Sequence, residues 1–437
     1  MRASTSSLAR RAGFVAVLSG AAIQAANAQL PNASPAAFGM AGNFTAAARG
    51  YEAVSWNAAN LAMPGRPFFS LGLAIAGGNA GLDPVDVSAL NEFSGLTVDF
   101  DTRLAWLDKA RLAGGERARL DGGVTWLGLS VGPFGVHVGS SAYADMNLSP
   151  DAFEAFLFGN AGLTGGQPKA LDMTGTTVRG GAFTTGAFSA ALPIPLRLTG
   201  GLLKNERAAI GITGKYLVGH GLVLAQDTGS ARDDAVRLRF PVIAPDSTYD
   251  GMAGVGQAAD VSFAWSGGPW KIGVQAQNVF NSFRWDTTRL AYLPGTGTFT
   301  YGADNGETDF DQQPYSAAPQ ELREIVAAQA FKPALAIGVA MRMTSALTLT
   351  ADMKTHTGGD EAIVIGPRTH FGVGAEFRVL PFVPLRAGVA SVSDGWQAAV
   401  GAGVRLLGYE LGAATSIRRR GVATESGLMI GVVGIGR

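Results

Sequence analysis

Residues 370–380 read His-Phe-Gly-Val-Gly-Ala-Glu-Phe-Arg-Val-Leu, and the two-residue period of this stretch decides the fold. One face of the extended chain is apolar and carries Phe371, Val373, Ala375, Phe377 and Val379. The other face carries Gly372, Gly374, Glu376 and Arg378. Successive side chains of a β-strand point to opposite faces, so this pattern indicates a strand with one apolar and one polar side.

The polar face of this strand argues against a soluble β-sandwich. The outer face of a sandwich is normally rich in Lys, Glu and Thr along every strand. Here that face consists mainly of Gly, Ala and Ser with an occasional charge, and residues 334–343 and 398–406 repeat the scheme. Small side chains suit the interior of a closed barrel, where opposite walls converge, while the apolar face meets lipid.

Strand number and connection length support the same architecture. Fourteen segments are predicted as strands: 67–77, 122–132, 134–145, 174–192, 207–219, 255–266, 270–283, 332–343, 347–357, 368–380, 385–393, 396–406, 409–419 and 426–436. Short connections alternate with long ones, as in outer-membrane barrels, although 193–206 is long for a turn. We therefore expect an all-β, transmembrane antiparallel β-barrel of about 14 strands, with loop helices near 101–113, 149–158 and 319–330.

Composition agrees with this class and excludes others. Gly accounts for 61 of the 437 residues, nearly twice the roughly 7% of an average protein. The chain carries 34 basic and 34 acidic residues, so no basic surface indicates a nucleic-acid partner. Cys is absent, and stability must come from strand pairing and burial instead of disulfides.

The N-terminal region divides into two parts. Arg2, Arg10 and Arg11 precede an apolar run and the small-residue site Ala26-Asn27-Ala28, which predicts a secretory signal peptide at 1–28. Residues 29–66 are rich in Ala, Gly and Asn and do not alternate, so they are predicted as a hatch, either a periplasmic leader or a plug inside the barrel. The barrel itself is predicted over 67–437.

The hatch region resembles a known family. It contains Gly39-Met40-Ala41-Gly42, then Ala46 to Ala53, then Trp56-Asn57-Ala58-Ala59-Asn60-Leu61-Ala62. These runs are similar to the hatch signature of FadL-like long-chain fatty acid transporters and the related PorV-like barrels, as are Pro384 to Val389, Gly401 to Arg405 and Gln277-Asn278-Val279. The resemblance implies fourteen strands, a hatch in the lumen, and diffusion of hydrophobic molecules through the wall or core.

Two groups of residues are predicted to form the functional site. The hatch group comprises Gly42, Arg49, Glu52, Trp56, Asn57 and Asn60. The lumen-lining group lies on the polar faces of strands and comprises Asp260, Lys271, Gln275, Arg342, Asp352, Lys354, Glu376, Arg378, Arg386 and Arg405. Their charges either pair with one another to hold the hatch or contact a substrate carboxylate.

Aromatic residues near the predicted strand ends are typical of the girdles that mark the two membrane interfaces. They are Trp56, Phe68, Phe69, Trp126, Tyr143, Trp265, Trp270, Phe283, Trp285, Trp396 and Tyr409. Burial of scattered aromatics in a core is the alternative.

Other motifs have ordinary structural interpretations. Gly128-Leu129-Ser130-Val131-Gly132 matches a nucleophile elbow, but a strand follows where the elbow needs a helix, so a lipid hydrolase using Ser130 and His137 is a remote alternative. Gly254-Val255-Gly256 also lacks the helix of a dinucleotide site. The four His residues have no metal-ligand spacing, and the loop 300–312 lacks that of a calcium loop.

These observations together predict a location in the cell outer membrane and uptake of small hydrophobic molecules, such as fatty acids, through a gated channel. The alternative is a structural or secretion-associated barrel that anchors partner proteins. An apolar tunnel would favour transport, and a plugged lumen with an exposed apolar loop patch would favour anchoring. Outer-membrane lipid and a hydrophobic small molecule are the expected partners of a monomer, with no cofactor, metal or catalytic residue.

Overall fold

A computed structural model describes residues 34–85, 98–158, 163, 171–232, 235–248, 251–300, 307–359, 362–393, 395–420 and 423–435. The predicted signal peptide and the first residues of the predicted hatch, 29–33, lie outside the described residues. Among those described, no helix has both the length and the apolar character needed to cross a membrane.

The described residues form fourteen long barrel strands, along which apolar and polar or small side chains alternate. They are β1 Phe69–Asp83, β2 Glu116–Val131, β3 Phe134–Leu148, β4 Thr177–Ile194, β5 Arg207–Gln226, β6 Gly254–Gly267 and β7 Trp270–Asn281. The second half comprises β8 Ala334–Arg342, β9 Leu347–His356, β10 Thr369–Leu380, β11 Val383–Val392, β12 Gly395–Leu406, β13 Tyr409–Arg420 and β14 Ala423–Ile435.

Every barrel strand pairs antiparallel with its neighbours in sequence, and the sheet closes on itself. Closure joins β1 to β14, with Ser70 opposite Ile435 and Leu82 opposite Thr424. A closed sheet leaves no row of unpaired backbone groups at an edge, and lipid offers such groups no water to bond. The predicted antiparallel barrel of fourteen strands is confirmed.

Several strands run further than predicted at the end where the long loops lie. β1 continues to Asp83, β2 begins at Glu116, and β5 reaches Gln226. A second small sheet was not predicted, and its strands are Leu171–Asp172, Ala231–Arg232, Ala235–Arg239, Thr296–Thr300 and Glu307–Asp309. These segments lack a sustained apolar alternation because no lipid faces them, so periodicity gave no signal there.

Helices lie in the N-terminal segment and in the long loops. They are α1 Pro35–Gly39, α2 Glu52–Trp56, α3 Phe100–Ala113, α4 Pro150–Phe158 and α5 Gln320–Ala328, with a 3-10 helix over Ala58–Ala62. The side chain of Asp99 caps α3 by accepting from the Thr102 amide at 2.9 Å, and Gly114, with φ 78°, ends it. The three predicted loop helices are confirmed.

The aromatic residues divide between surface and core. Phe68, Phe69, Trp126, Trp270, Trp396 and Tyr409 are exposed, as a girdle requires. The girdle prediction is wrong for Trp265, Phe283 and Trp285, which are buried. It is also wrong for Trp56, which packs against Phe44 in the N-terminal segment, and for Tyr143, which packs against a buried apolar core. Phe283 and Trp285 pack with Phe183 and Phe331, with ring centroids 5.1 to 5.7 Å apart, in an apolar core under the long loops.

Candidate functional site

Residues 34–66, the described part of the predicted hatch, lie inside the barrel, and glycines of the wall make room for them. A Cβ on Gly388 of β11 would collide with the carbonyl oxygen of Met40. A Cβ on Gly338 of β8 would lie 2.8 Å from the Cβ of Thr45. Part of the glycine excess in the sequence therefore serves the close approach of the hatch backbone to the wall.

Asp352 of β9 binds the hatch backbone most directly. Its Oδ2 accepts hydrogen bonds from the amides of Phe44 at 2.6 Å and Thr45 at 2.7 Å. The side chain of Asp352 is buried, with 4% of the residue exposed, so both bonds lie away from bulk solvent. Charge-assisted bonds of this kind are about twice as strong as neutral ones.

Four further strands hold the hatch through polar contacts. The Tyr51 amide donates to Ser70 Oγ of β1 at 2.7 Å, and the Ala59 amide donates to Ser262 Oγ of β6 at 3.0 Å. His370 Nε2 of β10 lies 3.1 Å from Asn43 Oδ1. Asn43 Nδ2 also donates to the Val389 carbonyl of β11 at 3.4 Å, so polar contacts join the hatch to five strands of the wall.

The predicted hatch residues organise this segment internally and toward the wall. Gly42 has φ +85°, which favours glycine, at the turn after α1. Asn60 Nδ2 donates to the Thr45 carbonyl at 3.0 Å, and Asn57 Nδ2 donates to the carbonyl of Phe263 in β6 at 3.0 Å. These two asparagine side chains therefore satisfy buried backbone carbonyls and are not arranged to contact a ligand.

Glu52 connects the two helices of the hatch. Its carboxylate accepts a hydrogen bond from Ser34 Oγ, and Ser34 Oγ also accepts from the Ala37 amide at 3.2 Å to cap α1. Burial raises the pKa of Glu52 to about 7, against the opposing effect of the Ser34 hydrogen bond.

Two cavities flank the hatch within the lumen. The cavity on the long-loop side has a volume of about 180 Å³ and is lined by Trp56 of the hatch with Gln275, Asp352, Lys354 and His370 of the wall. The cavity on the short-turn side has a volume of about 350 Å³. Its charged lining comprises Arg49, Glu52, Arg66, Glu376, Arg378, Arg386, Arg405 and Glu410, and its apolar lining includes Met40 and Phe44.

The charges of the short-turn cavity form one connected network. Arg386 Nη2 lies 2.8 Å from Glu376 and 2.7 Å from Glu410. Arg378 pairs with Glu376 at 2.8 Å, and Arg405 pairs with Glu410 at 2.6 Å. Three guanidinium groups and two carboxylates thus neutralise one another except for one positive charge. Arg49 and Arg66 add two further cations to the lining, and Glu52 adds a carboxyl group.

The remaining predicted lumen residues lie apart from both cavity linings. Asp260 is buried and pairs with Lys215 Nζ at 2.6 Å. Lys271 is partly buried in β7, and Arg342, the last residue of β8, is exposed at the short-turn end. The sequence analysis missed Lys215 and Glu410, although both occupy the polar face of their strands and alternation could have identified them.

The wall itself is interrupted between β6 and β7. Ala259 opposes Phe280 but Val261 opposes Ala276, so β7 carries extra residues in a bulge, with Asn278 at φ +52°. The backbone N–H of Asn278 donates to Asp260 Oδ1 at 2.8 Å, and Asn278 Nδ2 donates to the Lys332 carbonyl at 3.4 Å. At this point side-chain bonds replace part of the backbone ladder.

The enzyme-like motifs do not assemble a catalytic arrangement in the described residues. Ser130 Oγ donates to Ser70 Oγ at 3.3 Å, whereas His137 Nε2 lies 3.2 Å from Thr125 Oγ1. Gly254 begins strand β6, which leads into a hairpin and not a helix. The described residues also contain no group of three or more metal-ligating side chains, and 301–306 of the predicted loop lie outside them.

Comparison with solved structures identifies the fold. The toluene transporter TbuX of Ralstonia pickettii has 11% identity and a TM-score of 0.51, over 92% of this chain and 98% of that one. The toluene transporter TodX of Pseudomonas putida has 10% identity and a TM-score of 0.47, over 92% and 96%. No family model and no curated protein sequence matches the chain. The likeness to TbuX confirms the FadL-like outer-membrane barrel fold.

Proposed function

We propose that this protein is an outer-membrane channel for small hydrophobic molecules and that displacement of the hatch opens it. One observation supports the proposal above the others: a segment inside a closed barrel separates two cavities and is bound to the wall by polar contacts, chiefly at Asp352, and by small apolar clusters. The toluene transporter TbuX, which shares the fold, has a function of this class.

The hatch contacts are suited to reversible displacement. The groups of the polar contacts can bond water once the segment moves into an aqueous lumen, so the net loss per neutral bond is only about 0.5–1.5 kcal/mol. Small apolar clusters add to the attachment, such as that of Val54 and Leu61 with Ala187 of β4. The bulge at Asn278 lies beside Gln275 and Gln277, which line the long-loop cavity. The backbone ladder between β6 and β7 is irregular at this bulge, so the barrel wall has fewer strand-to-strand hydrogen bonds there. An apolar molecule that passes the hatch could leave the lumen through the wall there.

Uptake by reconstituted protein tests the proposal. Proteoliposomes are loaded from outside with radiolabelled toluene or a radiolabelled long-chain fatty acid, and planar bilayers report conductance. We expect uptake above that of protein-free vesicles, and larger conductance after deletion of residues 34–66. The absence of both uptake and conductance in the deletion variant would refute transport.

A second function is favoured by a different observation. The loop helices α3 and α4 expose apolar side chains, with Leu112 92% and Phe156 65% exposed, and both lumen cavities are partly lined by charges. Exposed apolar patches mark partner surfaces, so an anchoring barrel would use this face. Such a barrel purifies from mild detergent with a stoichiometric partner, whereas a transporter purifies alone.

A further inference from the structure

The connection between β4 and β5 differs from the other turns at its end of the barrel. Neighbouring turns span two residues, as at 132–133 and 268–269, whereas this one spans 195–206. Its conformation is nevertheless specified: the Glu206 carboxylate accepts from the Thr199 amide at 2.9 Å, the Gly201 amide at 2.8 Å and Trp265 Nε1 at 3.2 Å. A chain that needed only to reverse direction would not require this length or this order.

This ordered loop presents apolar side chains to its surroundings. Leu196 is 40% exposed, Leu198 52% and Leu202 89%. They continue the outward apolar surface of the barrel beyond the strand ends, because Leu192 of β4 and Ile210 of β5 are also exposed on that surface. The leucines therefore lie at the level where the lipid-facing wall ends.

The exposed charges of the loop are all positive. Arg197 and Lys204 are exposed and form no ion pair within the described part of the chain, and Arg207 at the start of β5 is exposed beside them. The one acidic side chain of the loop, Glu206, is buried and bonded to loop amides. The loop surface therefore combines leucines with cations and has no exposed carboxylate. Such a combination fits the headgroup region of a bilayer that contains anionic lipid.

We propose that residues 195–206 form a docking surface for anionic phospholipid in the periplasmic leaflet of the outer membrane. The three leucines insert among the acyl chains just below the headgroups, and Arg197 and Lys204 contact the lipid phosphates. Short turns mark the periplasmic end of such barrels, which places the loop at that leaflet. Continuity with the lipid-facing wall favours lipid over a periplasmic protein as the occupant.

The absence of Cys from the sequence allows a direct test with single labels. Leu202→Cys carries an environment-sensitive nitrobenzoxadiazole label in vesicles of phosphatidylethanolamine and phosphatidylglycerol. Leu112→Cys is the matched control, because Leu112 is 92% exposed on α3 at the opposite end of the barrel. We expect spin-labelled lipid to quench only the Leu202 label, and aqueous iodide to quench only the Leu112 label.

A charge series tests the lipid class. Arg197→Gln with Lys204→Gln, in the labelled chain, should weaken the response to the phosphatidylglycerol mole fraction about fivefold per removed charge. Lys109→Gln on α3 removes an exposed cation at the other end and should leave the response unchanged. None of these side chains takes part in the Glu206 hydrogen bonds.

Three results would overturn the proposal. Iodide quenching of the Leu202 label in vesicles would show that the loop lies in water. A response equal in pure phosphatidylethanolamine would show that anionic headgroups are not recognised. Shielding that appears only when periplasmic extract is added would assign the surface to a protein. Each result is independent of whether the channel transports anything.

Discussion

Replacing Asp352 by Ala is the sharpest perturbation of the hatch that the structure offers. The substitution removes the acceptor of the Phe44 and Thr45 amides, which bond to it at 2.6 and 2.7 Å. A hydrogen bond to a charged group contributes about 1.5–3 kcal/mol, so losing both lowers the stability of the seated hatch by about 3–6 kcal/mol. Asp352→Asn keeps a neutral acceptor and should lose about half of that.

Amide hydrogen exchange of the purified barrel measures this loss directly. A destabilisation of about 3 kcal/mol raises the population of the displaced hatch more than about a hundredfold, since each 1.4 kcal/mol is tenfold. The amides of Phe44 and Thr45 should exchange faster by that factor in the Ala variant, and single-channel recordings should show more frequent openings.

Asp145→Asn is the matched control for the lost charge. Asp145 lies on β3 in an ion pair with Arg119 at 2.9 Å, its side chain is 47% exposed, and it does not touch the hatch. Exposed pairs contribute about 0–1 kcal/mol, so hatch exchange should stay at the wild-type rate. The reasoning is refuted if the Phe44 and Thr45 amides exchange in Asp352→Ala as slowly as in the wild type.

Three further outcomes follow from the same structure. Gly388→Ala should displace the hatch and raise conductance, because its Cβ would meet hatch backbone, whereas Gly186→Ala, with no atom within 4 Å, should be silent in the same recordings. Arg386→Ala should lower stability in urea unfolding by about 1.5–3 kcal/mol, because it removes the buried cation that bridges Glu376 and Glu410, while each carboxylate keeps one partner in Arg378 or Arg405. The hydrogen bond from the Thr199 amide holds the pKa of Glu206 at about 2, below its ordinary value of 4.5. Loop 195–206 should therefore be fully ordered above about pH 4.5 and lose order as the pH falls toward 2, which stronger iodide quenching of a label at residue 202 would report. Glu206→Gln should remove this pH dependence.

Much of the fold could be predicted because lipid imposes a simple rule on the chain. Wherever a strand faces lipid on one side and the lumen on the other, side chains alternate, and β7 to β14 could be predicted within a few residues. The rule stops at the membrane surface. Strand extensions such as β5 to Gln226, and the burial of Phe283 and Trp285 under the loops, depend on tertiary packing that has no period in sequence.

Alternation in the sequence could predict which charged side chains of the site face the lumen, but it could not predict which residues they bond. Alternation places Asp352 and Arg386 on the inward face, yet the bond from Asp352 to Phe44 joins residues 308 apart in sequence. Which inward charges meet depends on strand register and on where the hatch lies. Alternation could also have placed Glu410 on the inward face, but its pairing with Arg386 depends on the register that the structure shows.

Two kinds of barrier fill the barrel, and their chemistry differs. On one side of the long-loop end, Phe183, Phe283, Trp285 and Phe331 pack ring against ring, and moving them would expose large apolar surfaces at about 25 cal/mol per Å². The hatch, in contrast, is held by hydrogen bonds to groups such as Asp352, which water can replace, and by smaller apolar clusters such as that of Val54 and Leu61 with Ala187. The aromatic core should therefore stay fixed while the hatch moves, which confines the route to the side of the lumen where the two cavities lie.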